Sequence, residues 1–401
     1  MADARRIVPA SRTANITYAV RDVVLLAEQV AATGKEMLYL NIGDPNLFDF
    51  ATPPHIIDAV TEAMRANHCG YAPSAGVAVA RQAIRAEAER KGIKAIRDIF
   101  ITSGASEAID LCLTALLEPG QNVLTPVPGY PFYTATLAKL KAKENFYYLD
   151  ESNGWQPDVA DISAKIDKDT RAIVVINPNN PTGSLAGRDT LQAIVDLAGE
   201  HNLLILADDI YDKLVFDGAE FVPLASLSDE VPMVTFNGMS KSYLAPGFRL
   251  GWGIVTGPAE ALGDYIEAIN KMLRARLSAN HPEQWAVTTA LEGDHSHVTK
   301  MLAKLTRRRD LTVEMLNAID GISCVPPGGA FYAFARLHTD RPDTEFTAEL
   351  CRRTGVVVVP GSGFGQAPGT QHFRVVFLPD ETTLADAYRR IGEFASEFFS
   401  R

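Results

Sequence analysis

The sequence is short of several things, and each shortage removes a class of protein. Only four cysteines occur in 401 residues, at Cys69, Cys112, Cys324 and Cys351. None forms a CxxC pair or stands at metal-ligand spacing from a histidine, so neither a disulfide framework nor a zinc module is expected. Reduced thiols are the expectation. Positive charge is also scarce: 38 Lys and Arg face 49 Asp and Glu, a formal net charge of -11. Such a chain is ill suited to nucleic acid or an anionic membrane surface, and any anionic ligand must be met locally by a few placed arginines. No apolar run is long enough to span a bilayer, and Met1-Ala2-Asp3-Ala4-Arg5-Arg6 lacks the apolar core of a secretion signal. Together these predict a cytoplasmic location. Internal repeats and low-complexity linkers are missing too.

What is present suits a large folded core: 47% of residues are hydrophobic and 22% charged, with length enough for two domains. Short β-branched runs at 99–102, 123–125, 172–176, 203–207 and 233–236 read as buried strands, and 107–117 and 190–201 carry helical spacing. Continuous apolar strands separated by helices predict an α/β fold, a mainly parallel sheet covered by helices. Ligands bind such sheets beyond the carboxyl ends of the strands. There lie Ser103-Gly104-Ala105-Ser106, Asn177-Pro178-Asn179-Asn180-Pro181-Thr182-Gly183, Asp208-Asp209-Ile210-Tyr211 and the segment around Lys241. Helical patterning then runs from Pro258, expected in a first turn, to about 309, with a break at Asn280-His281-Pro282. A turn at Asp320-Gly321 leads into Ile322-Ser323-Cys324 and apolar stretches at 328–334, 356–360 and 373–377. The expected division is an N-terminal segment, 1–48, joining a smaller α+β domain, 291–401, beside a large domain, 49–290.

The richest stretch is Ser240-Lys241-Ser242-Tyr243-Leu244-Ala245-Pro246-Gly247-Phe248-Arg249. A lysine seated between serines just past a strand can close a Schiff base on an aldehyde cofactor, and its free amine can move a proton. An arginine eight residues on can grip a phosphate through its fork of donors. The pairing describes a pyridoxal 5'-phosphate (PLP) enzyme. A lone lysine would be read as a surface residue, but its neighbours argue otherwise.

Asp208, at the end of an apolar run, would keep the pyridine nitrogen protonated, since an acid there is costly unless paired. Asp209 suits a helix cap better. Tyr211 and Asn180 are placed to hydrogen-bond the cofactor's phenolic oxygen, although Asn180 also fits a simple turn. Ser103, Gly104, Ala105 and Ser106 form a strand-to-helix turn able to hold an anion, or merely to cap a helix. Ser240, Ser106 and Arg249 would complete a phosphate cup. Tyr130 could stack on the cofactor ring or pack in the core. Arg374, inside an apolar strand, needs an anionic partner, either a substrate α-carboxylate or a structural carboxylate.

Assembled in this order, the residues resemble the class I/II aminotransferases of PLP fold type I, and the resemblance runs from Leu40-Asn41-Ile42-Gly43-Asp44-Pro45 to Arg374. It implies a cofactor lysine at Lys241, a pyridinium partner at Asp208, and phenolic-oxygen ligands at Asn180 and Tyr211. It further implies a phosphate ligand at Arg249 and a carboxylate ligand at Arg374, with Gly43 and Asn180 on the substrate side. By the same resemblance Tyr71 would reach the phosphate of a neighbouring subunit, which implies a homodimer. Within the family the chain is most similar to bacterial glutamate–pyruvate (alanine) aminotransferases, whose substrate-facing tyrosine and arginine correspond to Tyr18 and Arg21. One departure stands out: many relatives carry a serine three positions before the lysine, where this chain has Gly238. The expected reaction is amine transfer between an L-amino acid and a 2-oxo acid, with alanine and 2-oxoglutarate the preferred pair. Aspartate, aromatic or specialised amino acids remain open, as does a carbon–sulfur lyase on the same fold. A non-catalytic PLP sensor fits poorly with an acidic chain.

Overall fold

The structure, a computed structural model, describes residues 7–16 and 19–400. Its centre is an eight-stranded sheet. The strands lie in the spatial order Ile96–Thr102, Gly251–Thr256, Met233–Gly238, Leu204–Asp208, Thr170–Ile176, Asn122–Val127, Lys143–Asp150 and Gln156–Pro157. Five neighbours, from Met233–Gly238 through Lys143–Asp150, run parallel, while Gly251–Thr256 is antiparallel to both strands beside it. The sheet is therefore mixed, with a parallel middle.

Side chains alternate across it, as a pleated strand requires. Ile173 and Val175 enter one hydrophobic core together with Ile205 and Ala207. Ala172, Val174 and Ile176 enter the opposite one with Leu206, Val234 and Phe236. Both faces are thus buried, which is why these strands read as continuous apolar runs.

Gly251–Thr256 escapes a reading by hydrophobic pattern because glycines occupy two of its first three positions. A Cβ on Gly253 would overlap the Phe100 ring, and one on Gly251 would overlap the backbone of Ala105. Close approach, not flexibility, selects glycine there. The helix Ala105–Leu116 can consequently begin directly against the sheet.

The second unit is a four-stranded antiparallel sheet in the order Ile322–Cys324, Tyr332–Leu337, Gln371–Val376 and Val359–Pro360. Its core includes Phe331, Phe346, Phe373 and Phe394. The N-terminal segment joins it: the Leu40 amide donates to the Val357 carbonyl and the Val376 amide to the Leu40 carbonyl, each at 2.9 Å. Between the two sheets the chain forms the helices Ala259–Ala275, His281–Gln284, Ala286–Glu292 and Ser296–Asn317, with the expected interruption just before His281. Pro258 caps the first of these from outside and is not part of its first turn.

Candidate active site

At the carboxyl end of the parallel strands the chain gathers most of the residues singled out from sequence. Lys241 follows the strand Met233–Gly238 by three residues. Its Nζ donates to the Gly43 carbonyl at 2.8 Å and lies 5.4 Å from the centre of the Phe331 ring. Burial lowers its pKa to about 8; Asp44 and Asp208 oppose that shift, while Arg374 and Arg249 add to it. The amine is therefore easier to deprotonate than an ordinary lysine.

Asp208 ends the neighbouring strand and is only 3% exposed. Its Oδ2 accepts from the Tyr133 hydroxyl at 3.2 Å, and Oδ1 has no hydrogen-bond partner among the described residues. Burial raises its pKa to about 6, against the pull of Tyr133, the Ile210 backbone and Lys241. A buried carboxylate with a spare oxygen at a strand end suits a protonated ring nitrogen.

Asp209 does not cap a helix. The chain turns at 209–212 through the Asp212 amide and Asp209 carbonyl, and the Asp209 carboxyl is buried, which drives its pKa well above the usual range. No helix begins there because Tyr211 and Leu214 turn into the core beside Phe331 and Tyr332.

The proposed anion turn lies between a strand and a helix. Gly104 adopts φ +84°, open to glycine at no steric cost, and precedes the helix Ala105–Leu116. A Cβ on Gly104 would overlap the Arg249 guanidinium, so the two pack directly. The Ser103 amide is taken by Glu107 Oε2 at 2.6 Å. Among the described residues the Ser106 and Ser240 hydroxyls have no hydrogen-bond partner, and both side chains are half-buried. Exposed Arg249, the open helix start and these hydroxyls make a cradle of donors for a phosphate.

Gly238 also finds a physical reason. A Cβ at this position would lie 2.7 Å from the Leu250 carbonyl oxygen and 3.0 Å from Gly251 Cα. The antiparallel partner strand leaves no room for serine.

Arg374 is 2% exposed. Its Nη1 donates to Asn180 Oδ1 at 3.0 Å and its Nη2 to the Asn41 carbonyl at 2.6 Å, and its guanidinium sits 4.6 Å from the Tyr332 ring centre and 4.5 Å from that of Phe364. Both of these acceptors are neutral oxygens, and together they orient the guanidinium fork. The Tyr211 hydroxyl meets that of Tyr332 at 2.8 Å, and burial raises the Tyr211 pKa well above its ordinary value. Tyr332 in turn packs so tightly on Gly43 that a Cβ there would overlap its hydroxyl.

Tyr130 precedes the helix Pro131–Leu140 and is half-buried, its ring 6.0 Å from that of Phe132. Tyr71 stands apart, 82% exposed. Tyr18 lies outside the described residues. Arg21 falls in the helix Ala19–Ala31, and its side chain is likewise outside the description. Three contributors went unnoticed in the sequence: Tyr133 beside Asp208, Tyr332 beside Tyr211 and Gly43, and Phe331 beneath Lys241. Tyr133 carried a signal, since it falls one helical turn after Tyr130. The other two read only as strand core.

The chain matches the family Aminotransferase class I and II over residues 35–391. It is a class I and II aminotransferase. This aminotransferase is 38% identical to the alanine aminotransferase of Mycobacterium tuberculosis, over 97% of this chain and 93% of that protein. It is 37% identical to the glutamate-pyruvate aminotransferase of Escherichia coli, over 97% and 98%. Among solved structures, an alanine aminotransferase from Pyrococcus furiosus superposes with a TM-score of 0.94 at 39% identity, covering 97% of this chain and all of that one. The aminotransferase uses pyridoxal phosphate, and the open Asp208 oxygen and the Gly104–Arg249 cradle fit the two ends of that cofactor.

Proposed function

We propose that this aminotransferase exchanges the amine of alanine with 2-oxoglutarate, forming pyruvate and glutamate in two half-reactions. The observation that carries the reading is the pairing of Lys241 with Arg374. Both reach the same short segment, through the Gly43 and Asn41 carbonyls, so an amino acid gripped by its carboxylate would present its α-carbon to the lysine amine. The choice of alanine and glutamate rests on the names of the relatives above.

In this reading Arg374 binds the α-carboxylate through its planar fork, displacing the neutral oxygens of Asn41 and Asn180. Lys241 Nζ, with its pKa brought down to about 8, would carry the proton from the α-carbon to the cofactor, and carry one back to the α-carbon of the second substrate in the reverse half-reaction. Bound PLP supplies the sink for the electrons released at that carbon. Asp208 holds a proton on the ring nitrogen, and Tyr133 holds Asp208. Asn180 and Tyr211 donate to the phenolic oxygen, with Tyr332 fixing the direction of the Tyr211 hydroxyl. Ser103, Gly104, Ala105, Ser106, Ser240 and Arg249 would hold the phosphate, and Tyr130 would pack against the ring. Tyr18, Gly43 and Arg21 are the residues proposed for the substrate side, with Arg21 proposed to receive the distal carboxylate of glutamate.

A homodimer completes the proposal. Tyr71, exposed as Met64 and Leu277 also are, would be buried by a second copy and would reach its phosphate. Residues 49–290 and 291–401, the latter with 1–48, are the proposed domains. The proposed compartment is the cytoplasm, and no helix among the described residues is long and apolar enough to cross a membrane.

The test is a half-reaction screen on PLP-loaded enzyme, each amino acid added without acceptor while cofactor absorbance is followed. Bleaching by alanine and glutamate, reversed by pyruvate and 2-oxoglutarate, supports the pair. Bleaching only by other amino acids keeps the transferase and replaces the pair. Pyruvate released from cysteine conjugates without an acceptor would replace the transferase reading with a lyase. Lys241→Ala should abolish both band and turnover.

A further inference from the structure

The loop that carries Lys241 is held from outside the large sheet. The Leu244 amide donates to the Lys241 carbonyl at 3.2 Å, closing a turn over these four residues. Its last residue is strained: Leu244 is 3% exposed and sits at φ +53°, a region in which a branched side chain is disfavoured. Something must hold it there. Its carbonyl accepts two hydrogen bonds, from Thr52 Oγ1 at 2.5 Å and from Asn46 Nδ2 at 3.0 Å. These occupy both lone pairs of that oxygen. Asn46 and Thr52 also bond each other at 3.2 Å, and Asp44 caps the turn that presents Asn46.

The clamp belongs to the segment that already touches both reactive ends of the site. Within twelve residues, the Asn41 carbonyl takes Arg374, the Gly43 carbonyl takes Lys241, and Asn46 and Thr52 take Leu244. The same segment is stitched to the small sheet through Leu40. We propose that Asn46 and Thr52 are positioning residues: by holding the strained Lys241–Leu244 turn they keep the lysine amine in register with Arg374. The proposal rests on Lys241 being the cofactor lysine, and it requires no particular substrate pair.

Three variants of the full-length, PLP-loaded enzyme test it. Thr52→Val keeps the shape and removes the donor, Thr52→Ser keeps the donor, and Asn46→Asp replaces a donor with an acceptor. The readouts are the midpoint pH of the lysine–cofactor absorbance band without substrate, kcat and KM for whichever amino acid the parent turns over best, and the Tm. Thr52→Val and Asn46→Asp should move the band midpoint and lower kcat by about tenfold, with KM within about twofold, as expected for a misplaced reacting group. Thr52→Ser should restore midpoint and kcat together. The proposal falls if Thr52→Val and Asn46→Asp change only the Tm, or if Thr52→Ser loses as much as Thr52→Val. Should Thr52→Val fail to fold, Asn46→Asp at its exposed position decides by the same two readouts. A parent enzyme with no band at all would overturn the cofactor assignment, a result distinct from either.

Discussion

Asp208→Asn should make the cofactor-free protein more stable while destroying its use as an enzyme. The parent carboxyl is held at about 6 by burial, where an ordinary aspartate titrates at 3.8. Ionising it in the folded chain therefore costs on the order of 3 kcal/mol at neutral pH. The sign follows from which state binds the proton. Below pH ~4 the carboxyl is protonated in both folded and unfolded chains and the penalty is absent. It grows as pH rises from about 4 to 6 and is complete above. Asparagine has no charge to desolvate and can still accept from the Tyr133 hydroxyl. Urea unfolding of both apo-proteins, at one fixed protein concentration, should give equal stabilities near pH 4 and an advantage for the variant of up to ~3 kcal/mol at pH 7.5. Titration of PLP into the same samples should show the variant binding far more weakly, because no carboxylate faces the ring nitrogen. A variant less stable than the parent at pH 7.5 would refute the reasoning, since it would mean that the ionised carboxylate is well satisfied in the folded chain. Unchanged PLP affinity and turnover would remove Asp208 from the cofactor site.

Other outcomes follow from the same geometry. The rate of PLP uptake by apo-enzyme should rise with pH through about 8, as Lys241 Nζ loses its proton, and stopped-flow absorbance reads this directly; a rate flat between pH 7 and 9 would contradict a depressed lysine. Arg374→Lys keeps the charge and loses the fork, so KM for the amino acid should rise by about 10- to 100-fold with a smaller change in kcat; steady-state kinetics showing an unchanged KM would place the carboxylate elsewhere. Gly238→Ser pushes a side chain into the Leu250 carbonyl and should destabilise the fold by about 1–3 kcal/mol, measurable by denaturation; a neutral result would mean that the two strands separate readily there.

What could be read from the sequence was side-chain chemistry at strand ends. Lys241, Asp208 and Arg374 were legible because each is a charged group attached to an apolar run, where a charge without a partner is costly. Gly104 and Arg249 were legible as an anion turn and a nearby fork. The strand Gly251–Thr256 was not, because its glycines answer to the Phe100 ring and the Ala105 backbone, neighbours that only the folded sheet supplies. Asp209 was misread as a cap because capping is a local rule and the turn there is set by tertiary packing of Tyr211 and Leu214. Tyr133 and Tyr332 look like core residues until the hydroxyl partners are known.

The least legible contacts share a cause. Arg374, Lys241 and the Leu244 turn are all oriented through main-chain carbonyls, those of Asn41, Gly43 and Leu244 itself. Every residue type offers a carbonyl, so such acceptors leave no mark in the residue pattern. The proposed reacting groups are chosen by identity, but their relative placement is set by where one N-terminal segment runs. A substitution that shifts this segment should therefore disturb lysine and arginine together even though it alters neither, whereas a change confined to either side chain should disturb one end of the substrate alone.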